Sequence, residues 1–473
     1  MAVMLISFVS RLVRLGRSAF GLPMAMLLVA GILAVHAALL PEAHWQGDEY
    51  ITAAFARDGH LHYLWEARIG GWSPRPLSEL LFYGYDRLAA ARQAPFIVPF
   101  LALLWSMLLA MSLVTSRRAG LPAVRILIGL ATTCMFLLGH PIAEMFYWPA
   151  GAVAYLTTLA ATTLVLFLLI DGRTTSLAGI WVLSAALTAC AASSESGAIA
   201  AVLLALALAA VPAHRSRVLW LLPAPLLSAG FVFWMLLHHR VGSDEAVRHQ
   251  GLIRHLMQSL TPIPHDLLHD IVALWPARLL FALGVRWCWM QVAPPASRVA
   301  HPPSGHPGKG PAALPAFAVA LMLAAAMLIT AGYFQFGAPC CERHDSLRQC
   351  WVILSLTAMA VWSTRWPASP AFARLGPAAL CAACLLGVAP RIDMIAADFR
   401  LMPRIIADNR ANWRAGRNPS QDDMLFRLAP TAGIAGSGNI PAGHYREPSP
   451  ESWSAHGIMR FFGKHGIIIL VPG

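Results

Sequence analysis

Charge is scarce in this chain. Asp, Glu, Lys and Arg make up 12% of its 473 residues, against 58% hydrophobic residues, and mean hydropathy is +0.60. Such a composition excludes an ordinary soluble surface. Short strands of alternating polarity are missing too, which excludes a closed β-barrel. No basic domain is present: the net charge of +12 comes from arginines scattered in short clusters between apolar runs, with lysine nearly absent, so nucleic acid is not an expected partner. No internal repeat of the kind found in many transporters is visible, and no His-Glu-x-x-His zinc-protease motif occurs.

What remains is a run of apolar segments. A bilayer core needs roughly 17 to 25 mostly apolar residues per helix, and segments of about that length fall at 21–40, 95–115, 123–139, 150–170, 177–192, 197–212, 218–237, 271–290, 312–333, 350–363 and 374–390. The expected fold is therefore an all-α polytopic membrane protein with about eleven transmembrane helices. Arg11, Arg14 and Arg17 precede the first run, and the positive-inside rule places them in the cytoplasm. The length of that run and the poor cleavage site at 34–37 favour a retained anchor over a signal peptide. With alternation, Arg117, Arg118, Arg173, Arg215, Arg217, Arg298, Lys309, Arg365 and Arg374 all fall on the cytoplasmic side. The opposite, periplasmic side receives residues 41–94, the 140s loop, 238–270, 334–349 and the C-terminal tail from about 391. The division expected is a membrane domain over 1–390, with a functional first outer loop at 41–94, followed by an extracytoplasmic tail or small domain over 391–473. The apolar stretch 467–471 suits a strand in that tail, and 291–311, rich in Pro, Gly, Ser and His, suits a flexible linker.

Of eight cysteines, Cys134, Cys190, Cys288, Cys381 and Cys384 lie in or beside apolar runs and read as small buried hydrophobes. A disulfide from Cys340 or Cys341 to Cys350 is left open by the oxidising side on which they fall. The outer loop at 238–270 also carries six histidines and three arginines without metal-site spacing.

The polar residues on the outer face carry the functional reading. Asp48 and Glu49 form an acidic pair just beyond the first run, amid Trp45, Tyr50, Tyr63, Trp65 and Trp72 and the charges of Arg68, Arg75 and Glu79. A carboxylate pair at a membrane face can take a proton from a hydroxyl nucleophile or hold a divalent cation. It can equally be solvated loop charge. Aromatic faces beside carboxylates and arginines suit a sugar ring, although interfacial belts alone explain Trp and Tyr there. Glu144, with Tyr147, Trp148 and Tyr155, follows in the next outer loop, and Glu195 sits in a Ser-rich turn. Arg343 and Arg348 in the 334–349 loop can neutralise a phosphate or contact lipid headgroups.

The order of these pieces resembles the GT-C superfamily of membrane glycosyltransferases, in a bacterial glucosyltransferase-like branch. Gly47-Asp48-Glu49-Tyr50, Gly71-Trp72-Ser73-Pro74-Arg75, Glu144 with Tyr147-Trp148-Pro149-Ala150-Gly151 and Tyr155, Glu195, Arg343 or Arg348, Ser452-Trp453 and Phe461-Phe462-Gly463 carry the likeness. Asp-Glu stands where relatives have two aspartates, and Trp-Ser-Pro-Arg where a Gly-Arg pair is usual. The resemblance implies a GT-C-like helical fold and an inverting glycosyltransferase of the inner (plasma) membrane. Its sugar would come from a polyprenyl-phosphate donor and pass to a cell-envelope glycan or lipid acceptor. It implies Asp48 as catalytic base with Glu49 beside it. Arg343, Arg348 and Arg75 would bind the donor phosphate, and Glu144, Tyr147, Trp148, Tyr155, Glu195 and Trp72 would line the substrate site. A polytopic transporter or lipid-linked oligosaccharide flippase is the competing expectation.

Overall fold

The structure is a computed structural model that describes residues 21–114, 122–138, 141–211, 215, 222–239, 252–292, 312–337, 341–366, 369–430, 433–436, 438, 440–447 and 452–471. The basic positions Arg11, Arg14, Arg17, Arg117, Arg118, Arg217, Arg298 and Lys309 lie outside the described residues, as do His140, the 293–311 part of the linker, Arg240, Arg248, His249 and Cys340.

Each of the eleven apolar runs contains a helix. They are α1 (Gly21–Ala37), α4 (Ile97–Leu113), α5 (Pro122–Met135), α6 (Pro149–Ile170), α7 (Leu177–Ser193), α8 (Glu195–Ala210), α9 (Pro223–His239), α12 (Trp275–Val292), α13 (Ala313–Phe336), α14 (Glu342–Trp362) and α15 (Gly376–Val388). Among the described residues, four continuous helical stretches are long and apolar enough to cross a membrane: 21–42, α6, α13 and 376–417. A fifth forms if residues 253–272 and 275–292, bent by 64°, count as one broken span. The shorter apolar helices reach 17 residues at most. At 1.5 Å per residue they span about 25 Å, less than the roughly 30 Å of hydrocarbon in a bilayer.

Helix α6 is the central post. Nearly every residue along it is buried, and it packs on α4, α7, α13 and α14. A charged tie closes one end, where the fully buried Arg125 of α5 meets Asp171 beyond α6 at 3.1 Å. All five cysteines assigned to apolar runs are buried free thiols. Cys350 is one as well, so it does not complete a bridge; Cys341 is disulfide-bonded.

Between α1 and α4 lie α2 (Gly47–Arg57), a π-helix (Tyr63–Trp72) and α3 (Pro76–Arg92). A second π-helical turn, Ala143–Tyr147, precedes α6. Gly151 allows that turn to sit against α6, because a Cβ there would lie 2.0 Å from the Glu144 carbonyl. Two further helices, α10 (Leu252–Leu260) and α11 (Ile263–Val272), precede α12.

Beyond α15, α16 (Ile392–Arg417) leads into a three-stranded sheet and α17 (Trp453–Phe462). The sheet orders β1 (Asp423–Arg427), β3 (Gly466–Leu470) and β2 (Gly443–Arg446), with β3 central, parallel to β1 and antiparallel to β2. The apolar stretch near 467–471 thus becomes its middle strand, and the chain is predominantly helical with one small sheet.

The tail is not a free appendage. Helix α17 packs along α2, and Trp45 and Tyr50 meet Trp413, Phe426, Phe461 and Phe462 in edge-on and tilted contacts of 5.1–6.0 Å. Arg57 donates to the Phe461 carbonyl and Arg460 lies over the Phe55 ring. Gly457 makes the close approach possible, since a Cβ there would come within 2.3 Å of Ile51 Cγ1 and 3.3 Å of its backbone nitrogen. Overpacking of this kind costs about 1–3 kcal/mol. Gly457→Ala is accordingly expected to lower the melting temperature in detergent and to expose the α2–α17 contact to limited proteolysis, with Gly463→Ala, whose Cβ meets open space, reporting only the backbone strain of a left-handed residue.

Candidate functional site

The acidic pair separates on folding. Residues 46–49 open α2, and Glu49 at the third helical position turns back to accept the Gln46 backbone N–H at 2.9 Å, the carboxylate half of a capping box. Its other oxygen accepts the Ala150 N–H at 3.0 Å. Pro149 has no N–H, so Ala150 carries the first free donor of α6. One fully buried carboxylate thereby joins the positive ends of two helices. Burial, with the charge of Asp48 adding, pushes Glu49 up to about 7, while the Gln46 N–H and Trp148 oppose the shift.

Asp48 points elsewhere. Its side chain is 25% exposed and meets Arg68 Nη1 at 3.5 Å. Arg68 comes from the π-helix, whose wide turn is one of the rare conformations recurrent at functional sites. Glu79 of α3 grips its guanidinium at two points, Nε–Oε2 2.8 Å and Nη2–Oε1 3.0 Å. Arg68 and Glu79 are both buried. A buried pair of this kind is costly to break, about 3–5 kcal/mol when one partner is removed, so Asp48 stands beside a fixed cation.

Arg75 and Arg343 form the other side. Arg75 caps α3 and donates to Glu195 at 2.5 Å. Ser194 explains why Glu195 is there: as N-cap of α8 it accepts the Gly197 N–H at 2.9 Å and meets Thr158 of α6 at 2.8 Å, fixing the turn. Ser78 of α3 donates to the Ser193 carbonyl at 2.7 Å and ties the same elements together. Arg343, in the first turn of α14, donates to Glu144 at 3.3 Å and lies 5.3 Å from the Trp148 ring. Tyr155 is buried between them, its ring 5.7 Å from the Arg75 guanidinium and 6.0 Å from that of Arg343. The Tyr155 hydroxyl lies 2.9 Å from His344 Nε2. Burial and the neighbouring Arg343 and Arg75 push His344 down to about 3, which keeps its ring neutral. Glu79 acts electrostatically on both Arg68 and Arg75 and so links the two sides.

The structure thus brings Asp48, Glu49, Arg75, Glu144, Trp148, Tyr155, Glu195 and Arg343 into one polar network at the starts of α2, α6, α8 and α14. Tyr147 turns away: it is buried, and its hydroxyl donates to the His36 carbonyl at 3.0 Å, bolting the π-turn to α1. Arg348 is enclosed, its side chain 7% exposed against 24% for Arg343, and it pairs with Asp270 at 2.7 Å and Asp345 at 2.8 Å. Trp72 closes the π-helix; its side chain lies outside the described residues. Among the described residues no three His, Cys, Asp or Glu side chains converge as a metal cage.

The sequence reading assigned Arg68 and Glu79 no role, and it overlooked Asp86. The Asp86 carboxyl on α3 is fully buried with neither oxygen hydrogen-bonded, and burial, followed by Glu49, holds it well above the usual carboxylate range. Chemically the network offers a partly open carboxylate beside a fixed cation, and two guanidiniums flanking an aromatic ring, each already balanced by a carboxylate. Such a set can bind an anion and accept a proton. No protein-family model, curated protein or solved structure matches the chain.

Glu49 sets a pH dependence. Its folded pKa of about 7 lies above its ordinary 4.5, so between those values the folded state keeps a proton that the unfolded chain loses. The Glu49 contribution to stability is then greatest below pH 4.5 and falls as pH rises to 7, by about 3 kcal/mol for a shift of this size. Melting temperatures of the purified protein across this window should decline with pH, and Glu49→Gln should flatten that decline.

Proposed function

We propose that this protein is an inverting glycosyltransferase of the GT-C type in the bacterial inner membrane. Its eleven apolar helices cross the bilayer, which thins locally around the shorter ones; the N-terminus lies in the cytoplasm and the tail in the periplasm. It moves a sugar from a polyprenyl-phosphate donor to a cell-envelope glycan or lipid acceptor at the outer face.

The observation that carries this reading is the pairing within one network of an accessible acid, Asp48, with two arginines, Arg75 and Arg343. In the proposed reaction the acceptor hydroxyl attacks the anomeric carbon of the donor as Asp48 takes its proton. The bond from that carbon to the phosphate oxygen breaks, and configuration inverts. The lipid phosphate leaves with the electron pair and is stabilised by Arg75 and Arg343, which exchange Glu195 and Glu144 for the new anion. Arg68, itself gripped by Glu79, holds Asp48 in place. Glu49 keeps α2 against α6, and Trp148 and Tyr155 supply apolar walls for a sugar ring. Arg348 serves by fixing α14 rather than by touching phosphate. No acid is needed at the leaving group, because the polyprenyl phosphate monoester released from the diester donor departs as a weak base.

Asp48→Asn is expected to reduce sugar transfer from polyprenyl-phosphate donors by at least about 10²-fold, the scale of a general base, with unchanged expression and membrane insertion. Full turnover in that variant, measured with radiolabelled donor in purified membranes, would sink the assignment. Arg343→Ala should raise the donor KM more than it changes acceptor KM.

A further inference from the structure

Residues 252–270 belong to the stretch 238–270 that alternation of spans assigns to an outer loop, yet α10 turns an apolar face outward. Ile253, Leu256, Met257 and Leu260 recur at i, i+3, i+4 and i+7, and all four face outward, Ile253 79% and Met257 61% exposed. Of its polar residues, His255 and Ser259 face the protein, while Arg254 and Gln258 are exposed beside the apolar row. His255 is buried against α13, its Nε2 2.6 Å from the Phe334 carbonyl, and the buried Ser259 donates to the His255 carbonyl at 2.8 Å. A helix on a water-facing surface shows the opposite arrangement. On α11, Leu268, Ile271 and Val272 are likewise exposed, while His265 and His269, one turn apart, also stand free of the protein.

This outward apolar face is continuous with a membrane-facing one. Both α10 and α11 pack on α13, a helix long and apolar enough to cross a bilayer, whose Val319, Leu323 and Phe336 are exposed. The pair then bends by 64° into α12.

We propose that α10 and α11 form a helical arm immersed in the outer leaflet, with lipid hydrocarbon chains covering Ile253, Met257, Leu260 and Leu268 and with His265 and His269 at headgroup level. The arm is clasped to the first turns of α14. Asp270 receives Arg348 at 2.7 Å and Gln349 at 2.5 Å, and Arg278 of α12 reaches both Gln349 and the Asp270 carbonyl. Five residues before Arg348 on the same helix stands Arg343. The arm is therefore the lipid-side wall behind the phosphate-binding end of α14, the side from which a lipid-linked donor arrives; this last role rests on the proposed transferase reading.

The test is collision spectroscopy with nitroxide labels on Ile253→Cys and Met257→Cys in vesicles of phosphatidylethanolamine and phosphatidylglycerol, with Arg446→Cys, at a side chain 73% exposed on the sheet, as the aqueous control. The six described free cysteines are buried, and unsubstituted protein gives the labelling background. The ratio of collisions with dissolved oxygen to collisions with a water-soluble nickel chelate is expected to be about tenfold higher at 253 and 257 than at 446, as for side chains in the acyl region. Ratios at 253 and 257 equal to that at 446 would overturn the lipid-immersed arm. The readout is independent of catalysis: an inactive protein with lipid-immersed labels refutes the transferase and keeps the immersed arm, and an active one with water-exposed labels does the reverse.

Discussion

The whole polar network depends on one carboxyl group with two backbone partners. Glu49 accepts an N–H from its own helix start at Gln46 and another from the start of α6 at Ala150. Two helix ends that each carry unsatisfied donors are thereby held together through a buried charge. The geometry puts Asp48, one residue earlier, on the open side of the joint. Without the joint, the first outer loop would have only side-chain packing to fix its register against the membrane helices, and Asp48 would have no defined relation to Arg75, Tyr155 or Arg343.

The joint is reinforced from outside. Trp45 and Tyr50 flank it in sequence and meet aromatic rings from α16, β1 and α17, so the tail presses α2 onto the helices below. Apolar packing and helix-end electrostatics act on the same short element from opposite sides. The charges around it are balanced pairwise, Arg68 with Glu79, Arg75 with Glu195, Arg343 with Glu144. A site balanced in this way tolerates burial while empty, and an incoming anion rearranges existing pairs instead of meeting bare charge.

Much of this was legible in sequence, and the misses have physical causes. The eleven apolar runs gave helices because apolarity over many residues is a local property. Glu195 was found because a Ser-rich turn between two apolar runs marks a helix start, and the Ser194 cap confirms it. Tyr147 and Tyr155 looked equivalent in a shared motif, but one faces the His36 carbonyl and the other the two arginines, a difference of helical phase across a π-turn that spacing does not reveal. Arg343 and Arg348 differ likewise: five positions on one helix put Arg348 against Asp270, a residue 78 positions away. The Cys350 pairing failed for the same reason, since Cys350 lies inside the helix and points at the Phe136 carbonyl. Helix α10 was assigned to water because its loop was placed by counting spans, whereas its exposed face is apolar.

The sequence by itself determined that this is a helical membrane protein with its polar chemistry concentrated at one set of helix ends, because composition and the length of apolar runs act locally and need no partner. It also named the acidic pair. Only the tertiary structure decided that Glu49 is structural and buried while Asp48 is open, because that depends on where the first N–H groups of a helix a hundred residues away come to lie, and no local pattern encodes the position of a distant donor.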